Sequence, residues 1–178
     1  MQRKIFLWEI IGMIFIILVG SFFHFLFEIS GYWAPIGGFV AVNESTWEHL
    51  KLGYWPLIIF ALIEYKFVEK DAHNFIIGKV IAAYIIPVFI IAFFYSYTAI
   101  LGADSLFFDI LSFILAVIIG QLVSYKVLVL REFSRPYRII SWIALVILGI
   151  LFIVFTYFPP EFFLFQDPIS GLYGIIPH

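Results

Sequence analysis

The sequence predicts an all-α integral membrane protein, a single five-helix transmembrane bundle. Apolar residues make up 64% of the 178-residue chain and charged residues only 12%, about half the charged share of a soluble domain. The mean hydropathy is +1.10, and several apolar runs exceed the roughly 20 residues that a helix needs to cross a bilayer. The polar side chains are gathered rather than spread, most densely in "VNESTWEHLK", residues 42–51.

The first span, about 5–29, follows "MQRK" and imitates a signal peptide. Its apolar run outlasts a signal h-region and no A-x-A-like site follows, so it reads as a retained helix. The second span, about 54–70, is short; it can extend backward through residues 45–53, with Pro56 as a kink or a break. Pro87 predicts a kink in the third span, about 75–100, which membrane helices tolerate. The fourth, about 105–127, carries Ser112, Ala116, Gly120 and Ser124 at i+4 spacing, a small-residue row that predicts a tightly packed central helix. The fifth covers about 138–159. The tail, 160–178, keeps aromatic and large aliphatic residues around the turn signal Asp167-Pro168-Ile169-Ser170-Gly171. It is predicted to fold onto the end of the bundle beside the motif. No repeat or linker divides the chain, so 1–178 is one domain; His178 is terminal and easily disordered.

Orientation follows from Lys and Arg. With the N-terminus cytoplasmic and the C-terminus external, the inner side holds Arg3, Lys4, Lys66, Lys70, Lys79, Lys126, Arg131, Arg135 and Arg138, and the outer side keeps only Lys51. The outer face then collects the loop 30–53, a turn near 101–104 and the tail, with Glu28, Glu44, Glu48, Asp104, Glu161 and Asp167. Asp109 lies just beneath and either joins this group or reaches water. The bilayer is the predicted partner. The basic residues form no dense patch of the kind that binds nucleic acid. The chain has no Cys, so disulfides and thiolate chemistry are excluded, and any metal must use His nitrogen and carboxylate oxygen, which suits Zn, Fe or Mn.

In the motif, Ser45-x-x-Glu48 fits a capping box that opens a short helix, with Asn43 as an alternative cap and Trp47 suited to the membrane interface. Capping leaves other groups unexplained. Glu44 and Glu48 share a helical face, and His49 points about 100° away from Glu48. Upstream, His24 and Glu28 also share a face and extend the row Gly12–Ile16–Gly20. Glycines let neighbouring helices approach, so that row turns toward protein. A short loop with three Gly and one Pro, "ISGYWAPIGGFVAV", joins the two pairs. His24, Glu28, Glu44, Glu48 and His49 are therefore predicted to converge. Three uses are open: an ion-pair network that pins the loop, a divalent metal site, or a metal-free acid/base or ion-handling site. At the inner boundary Glu9, Glu64, Lys79, Gln121 and Lys126 are predicted to snorkel and to form one or two Glu–Lys pairs, a second ion-binding station being the sharper alternative. The midplane is nearly free of ionisable groups, which disfavours a midplane transport site.

On Asn43-Glu44-Ser45 with Trp47-Glu48-His49, and Asp167-Pro168 with Gly171 and Tyr173-Gly174, the chain resembles an uncharacterised bacterial family of small multi-span membrane proteins. The resemblance covers nearly the whole chain. It implies the bacterial inner membrane and no assigned function. More distantly, His and acidic groups at one membrane face are similar in kind to intramembrane zinc hydrolases of the alkaline ceramidase type, without their H-x-x-x-H pair. The leading expectation is a metal-assisted enzyme acting on a lipid or another amphiphile. His24, Glu28, Glu44 and His49 would be the metal ligands, and Glu48 the group that moves the proton. The alternatives are a cation or small-solute transporter or channel component, and a structural or partner-binding membrane protein without catalysis.

Overall fold

In the computed structural model, which describes residues 2–177, the apolar runs become five helices: α1 Gln2–Ile29, α2 Thr46–Val68, α3 Phe75–Leu101, α4 Leu106–Leu128 and α5 Arg135–Tyr157. Short 3-10 segments at Ala34–Gly38 and Phe163–Phe165 lie in the connection after α1 and in the tail. No strand forms among the described residues; one isolated bridge pairs Gln166 with Tyr173. Four helices, α1, α3, α4 and α5, are long and apolar enough to cross a membrane.

The distribution of side chains identifies the solvent. On α1, Leu7, Ile11, Ile14, Leu18, Phe22, Phe25 and Ile29 form an exposed stripe, while Glu9 is fully buried. Elsewhere Glu48, Lys51, Glu64, Lys79, Gln121 and Ser124 are also buried. A bundle that turns large apolar groups outward and charges inward is built for hydrocarbon surroundings, where an exposed charge is costly.

α2 departs from the predicted span. It begins at Thr46 and runs without a break through Pro56. The charges that suggested a loop up to residue 53 belong to the helix because Glu48 and Lys51 are buried and paired with each other. At 23 residues the helix is roughly 34 Å long. Pro87 likewise lies inside a continuous α3.

Small residues set the closest contacts. A Cβ at Gly20 would strike the Leu52 carbonyl oxygen, and one at Gly12 would strike the Phe60 ring and the Gln121 amide. These two glycines bring α1 against α2 and α4. The predicted small row of α4, Ser112, Ala116, Gly120 and Ser124, is buried throughout. The core of the bundle includes Ile16, Leu50, Leu57, Ile86, Ala116 and Phe152. Trp47 is part of this core rather than the membrane interface: its ring meets those of Phe152, Phe155 and Phe165. The tail folds back over it as predicted.

Candidate functional site

Two polar clusters occupy opposite ends of the bundle. At the motif end, Ser45 caps α2 by accepting the Glu48 N–H, which is half of a capping box. The other half is missing, because the Ser45 N–H goes to Asn43 Oδ1 at 2.8 Å. The Glu48 carboxylate is engaged elsewhere. It accepts the Val42 N–H at 3.0 Å, pairs with Lys51 and lies 3.0 Å from the Thr156 hydroxyl on α5. Lys51 Nζ also donates to Gly37 O at 2.6 Å and to Thr156 Oγ1 at 2.7 Å. Glu48 is 2% exposed and Lys51 0%; burial is sustained because one carboxylate meets one ammonium and each remaining polar atom finds a partner. Tyr157 and Trp55 complete the attachment of the glycine-rich loop, through the Gly38 N–H, Ala34 O and Gly38 O.

His24, Glu44 and His49 converge in front of this network. His24 Nε2 lies 3.0 Å from His49 Nε2, and Glu44 Oε2 lies 3.6 Å from the first and 3.3 Å from the second. Each offers one potential ligand atom to a common point. His49 Nδ1 is 2.9 Å from the Ser45 carbonyl oxygen. A proton on Nδ1 donated to that oxygen leaves Nε2 with its lone pair toward the triad, the orienting contact that metal-bound imidazoles commonly have. The two imidazoles beside Glu44 hold its carboxyl well below the usual carboxylate range. The Glu44 backbone is fixed by the tail: its N–H donates to Asp167 Oδ1 at 3.0 Å, and Asn43 Nδ2 donates to Gly174 O at 2.8 Å.

A cavity of about 390 Å³ opens beside the triad, lined by His24, Glu28, Glu44, Asp167 and Ser170 among others. A second, about 620 Å³, lies between the end of α3 and the tail, and Ile169 lines both. Of the five residues predicted to meet, the structure therefore brings three together. Glu28 lines the cavity without joining the triad. Glu48 is directed into the buried network and away from it. Asp109 accepts the Tyr97 hydroxyl proton.

At the opposite end the expected Glu–Lys pairs form, but inside the bundle and without snorkelling. Lys79 reaches inward between two buried carboxylates, 2.9 Å from Glu9 Oε1 and 2.6 Å from Glu64 Oε2. Glu9 Oε1 also accepts the Ser124 hydroxyl at 2.8 Å. Only Lys126 among the five keeps an exposed position. One turn further toward this end of the bundle, Ile5, Val68 and Leu128 form a buried apolar layer with Phe75 packed against it. These are the i±4 neighbours of Glu9, Glu64, Ser124 and Lys79, so an apolar plug roughly 6 Å deep separates the charges from that end.

Fold and sites together define a multi-pass helical membrane protein with a His/carboxylate triad at one end and a buried ion cluster at the other. Residues 1–175 match a family of unknown function, DUF6512, and the chain belongs to it. The expected membership of a functionally unassigned family spanning nearly the whole chain is met. No curated protein and no solved structure matches the chain.

Proposed function

We propose that His24, Glu44 and His49 bind a divalent metal ion and that the protein is a metal-assisted hydrolase acting on a lipid or another amphiphile. The observation that carries this reading is the spacing of the three ligand atoms, 3.0, 3.3 and 3.6 Å. A tetrahedral ion with bonds of 2.0–2.1 Å has ligand–ligand edges of roughly 3.3 Å. Two nitrogens and one oxygen suit zinc, iron or manganese, and three protein ligands leave a position for water or substrate. Such an ion would supply a nucleophilic hydroxide and polarise an ester or amide carbonyl. The adjoining cavity gives a substrate room, and Glu28 on its wall takes the proton-moving role first assigned to Glu48. Exposed Phe25, Tyr32 and Trp33 support a site at the level where amphiphile headgroups meet acyl chains.

Protein purified without added metal should carry one ion per chain, lost in His24→Ala and in His49→Ala. Hydrolysis of an ester- or amide-linked amphiphile should stop with a chelator and return with the ion. Absence of bound metal in folded wild-type protein overturns the reading. The basic-residue bias supports an orientation with the N-terminus cytoplasmic, the triad external and, for a bacterial cell, the inner membrane as location. Reporter fusions after Lys70 and Arg135 should read cytoplasmic, and a C-terminal fusion external.

A second reading, a transporter or channel component, draws on one observation: Glu9, Glu64 and Lys79 lie inside the bundle. Lys79→Met combined with Glu64→Gln should leave the metal content unchanged. A loss equal to that in His49→Ala would favour a through-membrane pathway over an enzyme.

A further inference from the structure

The cluster at the end opposite the motif is not charge-balanced. Two carboxylates, Glu9 on α1 and Glu64 on α2, face one ammonium, Lys79 on α3, and all three are at most 2% exposed. Its polar atoms are also incompletely served. Glu9 Oε2 and Glu64 Oε1 have no hydrogen-bond partner, and Glu64 Oε2, though close to Lys79, lies outside hydrogen-bond geometry. Gln121, fully buried on α4, has no partner for either its amide oxygen or its amide nitrogen. Its amide abuts α1 at Gly12, one turn from Glu9, and Ser124, one turn from Gln121, already bonds Glu9. The remaining charged groups on these helices near this end, Arg3, Lys4, Lys66 and Lys126, and Arg135 and Arg138 on α5, are exposed. None of them neutralises the buried surplus.

We propose that Glu9, Glu64, Lys79 and Gln121 form a proton-binding site, holding one exchangeable proton on the Glu9/Glu64 pair. A buried net charge is costly, and a single proton removes it. The same proton mends the hydrogen bonding: a new O–H on one carboxyl oxygen donates to an acceptor that otherwise has none, the opposing carboxylate or the Gln121 carbonyl. The proton is taken from and returned to solvent water, with no other bond made or broken. A metal cation is the weaker occupant because Lys79 Nζ already stands between the two carboxylates, where the cation would be drawn. Next to the apolar plug of Ile5, Val68 and Leu128, the site is placed to load from one side of the membrane only when that plug loosens. This inference does not depend on the metal triad.

Infrared spectroscopy of the purified full-length protein in lipid nanodiscs, in H2O and in D2O, tests it. Wild-type protein at neutral pH should show the C=O band of a protonated, buried carboxyl group, shifted in D2O. Glu9→Gln and Glu64→Gln, each leaving one carboxylate opposite Lys79, should each lose that band. Lys79→Met, with both carboxyls now uncompensated, should increase it about twofold. A wild-type spectrum without the band overturns the proposal whatever the variants do. So does a band that persists in both glutamine variants, or one that disappears when sodium replaces choline as the only monovalent cation.

Discussion

Two buried Glu–Lys clusters in one small bundle differ in stoichiometry, and the difference separates scaffold from site. Near the motif, Glu48 and Lys51 stand one to one, and Val42, Gly37 and Thr156 take up their remaining bonds. At the other end, Glu9 and Glu64 share Lys79, and Gln121 bonds to nothing. The first arrangement has no unmet demand and holds loop, α2 and α5 together. The second leaves polar atoms of Glu9, Glu64 and Gln121 without a hydrogen-bond partner. Burial and residue type are the same in both, so counting partners distinguishes them.

The comparison can be broken most forcefully at Lys51. Lys51→Met leaves the Glu48 carboxylate buried and unpaired and should destabilise the protein by about 3–5 kcal/mol, read as loss of thermal stability in detergent; adding Glu48→Gln should restore much of it. A smaller effect is expected at Asn43, whose amide joins Ser45 to Gly174. Asn43→Ala should lower stability by about 1–2 kcal/mol and make the tail more susceptible to protease. Glu64→Gln sharpens the contrast from the other side. Removing a surplus carboxylate should change stability by less than about 1 kcal/mol in either direction, whereas Glu48→Gln should be clearly destabilising. Equal losses in the two glutamine variants would show that both clusters are scaffolds.

The smallest effect concerns pH. The carboxyl of Glu44 is held below its ordinary value of 4.5 by the imidazoles of His24 and His49, 3.6 and 3.3 Å from its Oε2. A carboxylate depressed on folding stabilises the fold fully above its unfolded value, and that contribution disappears as pH falls through the folded one. The stability difference between wild type and Glu44→Gln should therefore shrink as pH falls below about 4.5. With 45% of the side chain exposed, solvent screening keeps the difference small.

Much of this was legible in the sequence. Apolar run length reports helices directly, and all five predicted spans correspond to one. The glycine row below His24 and the short loop to Glu44 and His49 were enough to anticipate three of the five converging residues, since i+4 spacing and loop length constrain geometry locally. The buried role of Glu48 was missed although Lys51 stands three residues on, because the Thr156 hydroxyl that completes the network lies 108 residues away. The start of α2 was misplaced because Glu48 and Lys51, read as loop charges, pair with each other at i,i+3 within the helix and are buried. Burial of Glu9, Glu64 and Lys79 was missed because hydrophobicity on every face of a span hides which face looks inward.

The clasp between loop and tail also has a bearing on how the protein is made. α1 and α2, which carry His24 and His49, precede the tail in the chain, so both imidazoles are made before it. The backbone of Glu44 is held by Asp167, and its neighbour Asn43 by Gly174, residues translated 123 and 131 positions later. An incomplete chain ending before Asp167 would thus contain the two histidines without a fixed carboxylate beside them. Assembly of the triad is deferred until the tail has been made, so a nascent fragment without it lacks the completed centre.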